Sequence, residues 1–171
     1  MTELETRIAD NRAAVEAFIA TARGLDATTW AAPRAEGAWS PAQIAEHLAI
    51  IYEYNRRVVM GTAGTGAPGF LRPLLRWFVV DRTLKAGRFT RKGKAPAVFR
   101  PVTNVAAPPV AADVLARLLT AVTGLEGDIR SGHPAARHTV AHPFFGTLQT
   151  IDWMRLQAIH ARHHHDQIRS L

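Results

Sequence analysis

Four histidines fall within six positions near the C-terminus: His160, His163, His164 and His165, in IHARHHHDQIRSL. Such a set can ligate a transition metal, form the solvated basic end of a helix, or be left over from a purification tag. Ala161 and Arg162 interrupt the run, and Asp166, Gln167 and Ile168 continue an apolar helical pattern beyond it, so it reads as native sequence. On a helix, residues four apart lie on one face, which lets His160 and His164 converge on one ion. His160 with His163 is the competing pair. At about 3.6 residues per turn, His163 and His165 point roughly 100° to either side of His164. Two imidazoles make an incomplete transition-metal site, which wants three or four ligands. A third must come from elsewhere, and the candidates are His47, His133, His138, His142 and whichever of His163 or His165 lies on the chosen face. His47 stands apart because it shares a helix side with Ile44, Leu48 and Ile51, although a lone histidine beside an apolar face is more often a packed core residue. Three neutral imidazoles suit Zn, Ni, Cu or Fe(II) and leave positions for water or substrate.

Other chemistries are set aside by what the chain lacks. With no cysteine there is no thiolate ligand, cysteine nucleophile or disulfide framework. No H-E-x-x-H, G-x-S-x-G or G-x-x-x-x-G-K occurs. A di-iron bundle needs Glu-x-x-His twice, whereas Glu46 and His47 are adjacent. The polar start MTELETRIADNR is no secretory signal, and no apolar run is long enough to span a bilayer, so the expected compartment is the cytoplasm.

The elements that must position the histidines follow from periodicity. A first helix is expected from about Glu3 to Arg23, with Leu4, Ile8, Val15, Phe18 and Ile19 on one stripe and Gly24 ending it. In WSPAQIAEHL, Ser40 suits an N-cap, Pro41 the first helical position and Gln43 the reciprocal capping-box position. That helix carries Ile44, His47, Leu48, Ile51 and Tyr52 towards Met60, before Gly61, Gly64, Gly66 and Pro68. A short helix over about Leu71 to Leu84 is expected, then loop. A third long helix fits Ala111 to Arg130, with Val114, Leu115, Leu118, Leu119, Val122 and Leu125 buried. SGHPAARHTVAHPFFG reads as loop, and the last helix starts near Leu148 or Ile151, with Thr150 as its cap. No alternating run argues for a sheet. The 171 residues thus predict one all-α domain, residues 1–171: an antiparallel-type four-helix bundle with a long irregular connection between the second and third long helices.

The net charge of +7 is concentrated between residues 72 and 100, where Arg72, Arg76, Arg82, Lys85, Arg88, Arg91, Lys92, Lys94 and Arg100 face the single acid Asp81. The simpler reading is a solvated basic connection. Nucleic-acid binding is not favoured, since no reading module accompanies the charge. A membrane-surface helix is the other candidate, because Leu71, Leu74, Leu75, Trp77 and Phe78 are interspersed with the arginines.

WSPAQIAEHL, followed far downstream by HPFFGTLQTIDWMRLQAIHARHHHDQI, resembles the DinB/YfiT-like superfamily, and more closely its DinB-like and DUF1569-like branch. The resemblance implies a four-helix bundle with a three-histidine metal site. The histidine ending W-S-P-x-x-x-x-x-H is His47, and the terminal H-x-x-x-H-x-x-Q pattern supplies His160 and His164, with Gln167 after them and His163 not a ligand. It implies a divalent transition metal, zinc or nickel first, with iron, manganese or copper as alternatives. Members of that superfamily include thiol-dependent transferases and isomerases. The expected function is a metal-dependent hydrolase or a transferase using a low-molecular-weight thiol, acting on a small molecule and able to form a homodimer. The other class of function is a non-catalytic binding or dimerisation module using the basic segment. Gln43 and Gln167 are expected to be a capping residue and a surface amide. Glu46, Glu53 and Asp166 are expected to be solvated carboxylates, one of which could orient a ligand imidazole.

Overall fold

The capping box read at Ser40 and Gln43 forms in the computed structural model, which describes residues 1–64, 66–89, 95–103, 106–131 and 134–171, with only the backbone at 134–135. Thr2 starts α1 (Glu3–Arg23) by accepting from the Glu5 amide. Asp26 caps a short helix absent from the sequence reading, α2 (Ala27–Ala31). Ser40 caps α3 (Pro41–Val59) in a complete capping box with Gln43, with Pro41 in the first turn. The basic connection carries α4 (Arg72–Leu75), a π-helical stretch Arg76–Asp81 and α5 (Arg82–Ala86). The remaining helices are α6 (Ala111–Ser131) and α7 (Thr150–Arg169). Arg91, Lys92, Lys94 and His133 lie outside the described residues.

The long helices α1, α3, α6 and α7 form a four-helix bundle, with α1 packed along α7 and α3 along α6. Phe18, Tyr52, Leu118, Leu125, Trp153 and Met154 fill its centre. Glu53 pairs with Arg117 and Arg56 with Asp128, so α3 and α6 run in the same direction. Arg12 pairs with Glu126 and Glu5 with Arg130, so α1 opposes α6. Asp10 pairs with Arg162 and Thr21 bonds His165, so α7 runs with α1. Consecutive long helices are therefore antiparallel at the first and last connections and parallel at the middle one. This explains the length of residues 60–110. A chain leaving the end of α3 must travel back along a helix of roughly 28 Å before α6 can begin.

One element departs from the loop expectation. Residues Thr139–His142 (β1) and Gly146–Gln149 (β2) form an antiparallel hairpin in which Val140 pairs with Leu148 and His142 with Gly146. Gly146 sits at φ +73°, the left-handed conformation that closes a short hairpin loop. Each strand has four residues, and the buried apolar cross-strand pair is Val140 with Leu148, too short a pattern to show as alternation. Thr150 is not a cap: it is the first residue of α7, and its hydroxyl donates to the Ala136 carbonyl at 2.7 Å.

Candidate metal centre

The capping box of α3 fixes where that helix starts, and His47 follows two turns later, on the face that meets α7. His160 and His164 stand one turn apart on α7. The ligand nitrogens of His47, His160 and His164 all lie within 4.8 Å of one another. The Nε2 of His160 is 3.3 Å from that of His47 and 3.0 Å from that of His164. His47 and His164 are buried, and His160 is half-buried.

The remaining ring nitrogens settle the tautomers. His47 Nδ1 is 2.6 Å from the Phe99 carbonyl oxygen, which only accepts, so Nδ1 carries the proton. His164 Nδ1 donates to Gln167 Oε1 at 2.7 Å, and the Gln167 amide nitrogen donates to His163 at 3.2 Å. The Nε2 atoms of His47 and His164 therefore present lone pairs, both aimed at His160 Nε2. That nitrogen can donate one proton at most, so one of the two short N···N contacts sets lone pair against lone pair. Protonating further rings is opposed by the surroundings. Burial lowers the His47 pKa against the pull of the Phe99 carbonyl, and burial with the neighbouring imidazoles holds His160 well below its usual range. Burial pushes His164 down to about 3.

The donor set fits a divalent cation. An ion about 2.0–2.1 Å from each nitrogen in tetrahedral geometry would space the nitrogens about 3.3 Å apart, close to the shorter separations here. It would also engage three lone pairs that a single proton cannot satisfy.

The other histidines take different roles. His163 is exposed and accepts from Gln167, while His165 shares a hydrogen bond with Thr21 on α1 at 2.8 Å. His142 is buried in the hairpin and His138 is exposed, and neither joins the cluster.

Several neighbours differ from the sequence reading. Gln167 is no idle surface amide, since it fixes the His164 tautomer. Glu46 is buried and accepts from the Thr103 amide, and Gln43 adds to its capping role a hydrogen bond to the Thr103 carbonyl. Both tie the returning connection to α3, which brings Phe99 to His47. Glu53 is taken by Arg117, and Asp166 is exposed. Phe89 packs its ring on His160 and His163, and Trp39 lies 4.7 Å from His47. Phe89 and Phe99 were not found from the sequence. Phe89 acts through its ring and Phe99 through its backbone carbonyl, and neither contact leaves a spacing signal.

Among the described residues, no helix is long and apolar enough to cross a membrane. A comparison with curated proteins found no match. Among solved structures, the chain resembles that described as "Crystal structure of TT2238, a four-helix bundle protein", with 23% identity, a TM-score of 0.59, and 98% of this chain and 99% of that one covered. At that identity the likeness speaks for the fold. The family model of the DinB superfamily matches residues 9–168, nearly the whole chain, and the protein belongs to that superfamily.

Proposed function

We propose that the protein is a metal-dependent enzyme acting on a small molecule, with His47, His160 and His164 holding a divalent transition metal, zinc or nickel ahead of iron, manganese and copper. The observation that carries this reading is the pair of fixed tautomers that leaves converging lone pairs around His160. A divalent ion on three imidazoles supplies Lewis acidity, lowering the pKa of a water or thiol in its open position towards neutrality. Hydrolysis or transfer of a low-molecular-weight thiol to an electrophile are the two reactions this chemistry suits. The chain's own contribution is orientation and shelter. Phe99 O and Gln167 Oε1 hold two ligand rings in place, and losing such a partner weakens a site by roughly 10–100-fold. Trp39 and Phe89 pack apolar rings against His47 and His160.

The test is metal content in protein purified without a histidine tag and supplemented with zinc or nickel. One equivalent per chain is expected, lost in His47→Ala. Thiol consumption with a panel of electrophiles, run beside ester and amide hydrolysis, then separates the two reactions. Wild-type protein that takes up no more of either metal than His47→Ala would end the proposal.

A further inference from the structure

The segment from Gly69 to Arg88 lies outside the histidine chemistry, and its two sides are unlike. Val80 and Thr83 are buried, with Leu84 half-buried, and these hold the segment to the bundle. The other side carries Phe70, Leu74 and Trp77, which are 82%, 52% and 51% exposed, along with Leu71 and Phe78. Phe70 and Leu71 lie in a 3-10 turn just before α4, Leu74 in α4, and Trp77 and Phe78 in the π-helical stretch, so consecutive turns of this segment all present exposed apolar side chains. The same segment carries Arg72, Arg76, Arg82, Lys85 and Arg88 against the single acid Asp81. Arg82 lies over the Trp77 ring at 5.6 Å, and Arg76 reaches Asp81 and the Thr147 carbonyl.

We infer that this face docks on an anionic lipid surface. Each feature has a use there: the exposed apolar side chains enter the headgroup boundary, Trp77 suits the interfacial layer, and the basic side chains meet lipid phosphates and carboxylates. The alternatives fit the charge less well. A symmetric contact with a second copy would set one basic segment against another, a like-charge arrangement that costs affinity. Nucleic acid would engage the arginines but leave Leu71 and Leu74 in water. Phe89, three residues beyond α5, packs on His160 and His163, so a short stretch of chain joins the docking face to the histidine centre. The inference stands independently of the metal.

Cosedimentation of the full chain with vesicles tests it, comparing phosphatidylcholine alone with phosphatidylcholine containing phosphatidylserine. Binding is expected on the anionic vesicles at low salt, with release at high salt. Leu74→Glu with Trp77→Glu should abolish it, and Arg82→Gln with Lys85→Gln should weaken it by about tenfold or more. Far-UV circular dichroism checks folding, and Leu74→Ser with Trp77→Ser gives a milder apolar variant that must also lose binding. Absent or charge-independent vesicle binding overturns the inference. So does a dimer in sedimentation velocity that the Leu74 and Trp77 changes dissociate, which would assign the face to a second copy. Tighter binding to mixed-sequence DNA than to anionic vesicles, lost in the charge variant, would assign it to nucleic acid.

Discussion

His142 in the hairpin and the His47–His160–His164 group between α3 and α7 are both withdrawn from water, and both are held below the ordinary histidine range by burial. Their company differs. His142 Nδ1 accepts from the Phe144 amide at 3.2 Å, and its ring stacks on Phe145, so it is held by hairpin backbone and aromatic packing. In the other group, two rings spend their Nδ1 protons on Phe99 and Gln167, and their Nε2 atoms close on a third ring. Burial alone therefore makes a neutral histidine. Convergence with fixed tautomers makes a set of donors that could hold a cation.

The strongest way to break this comparison is to remove one histidine from each place. His160→Ala should take the metal content from about one equivalent per chain to near zero, while His142→Ala should leave it unchanged, read by elemental analysis. Equal metal loss from both variants would mean that burial, not convergence, governs binding.

The pH dependence of stability should separate the regions next. An unfolded histidine titrates near 6.5, whereas burial holds folded His142 at about 4. Between those values the unfolded chain binds the extra proton. The neutral ring's contribution is thus fully present above pH 6.5 and is lost as the pH falls towards 4, up to about 3 kcal/mol. Denaturant unfolding of metal-free His142→Leu should show a correspondingly flatter pH dependence than metal-free wild type. In both proteins the histidine cluster adds the same slope, so the difference isolates His142.

Gln167→Leu sharpens the account of the cluster. It removes the acceptor that fixes the His164 tautomer, and should weaken metal affinity by roughly 10–100-fold, measured by competition with a chelator. Gln167→Glu keeps an acceptor and should recover much of that loss. The smallest effect belongs to Ser40→Ala, which removes an N-cap for about 1 kcal/mol of stability while leaving metal stoichiometry intact. Loss of metal in that variant would show that the start of α3 is coupled to the site.

The sequence carried the local information well. Ser40, Pro41 and Gln43 announce the start of α3 because capping is settled within four residues. The periodic apolar positions of α1, α3, α6 and α7 mark a helical bundle because a helix must bury one face. Spacing alone left His163 in competition with His164, and it was the family pattern that singled out His164. The hairpin was missed because one buried Val140–Leu148 pair is too short to register as a period. Glu46 was misread as solvated because its partner is a backbone amide 57 residues away, at Thr103.

The chain by itself thus determined helix phase, the main capping signals and the placing of His160 and His164 on one face of α7, all properties of neighbours in sequence. Tertiary structure alone decided that α3 and α6 run parallel, which forces the 60–110 connection back along the bundle and past His47. It also decided that the carbonyl of Phe99, on the returning connection, takes the Nδ1 proton of His47, whereas Gln167 reaches His164 within α7 itself. A proton's place on an imidazole depends on which acceptor folding brings within reach, and that acceptor can come from anywhere in the chain.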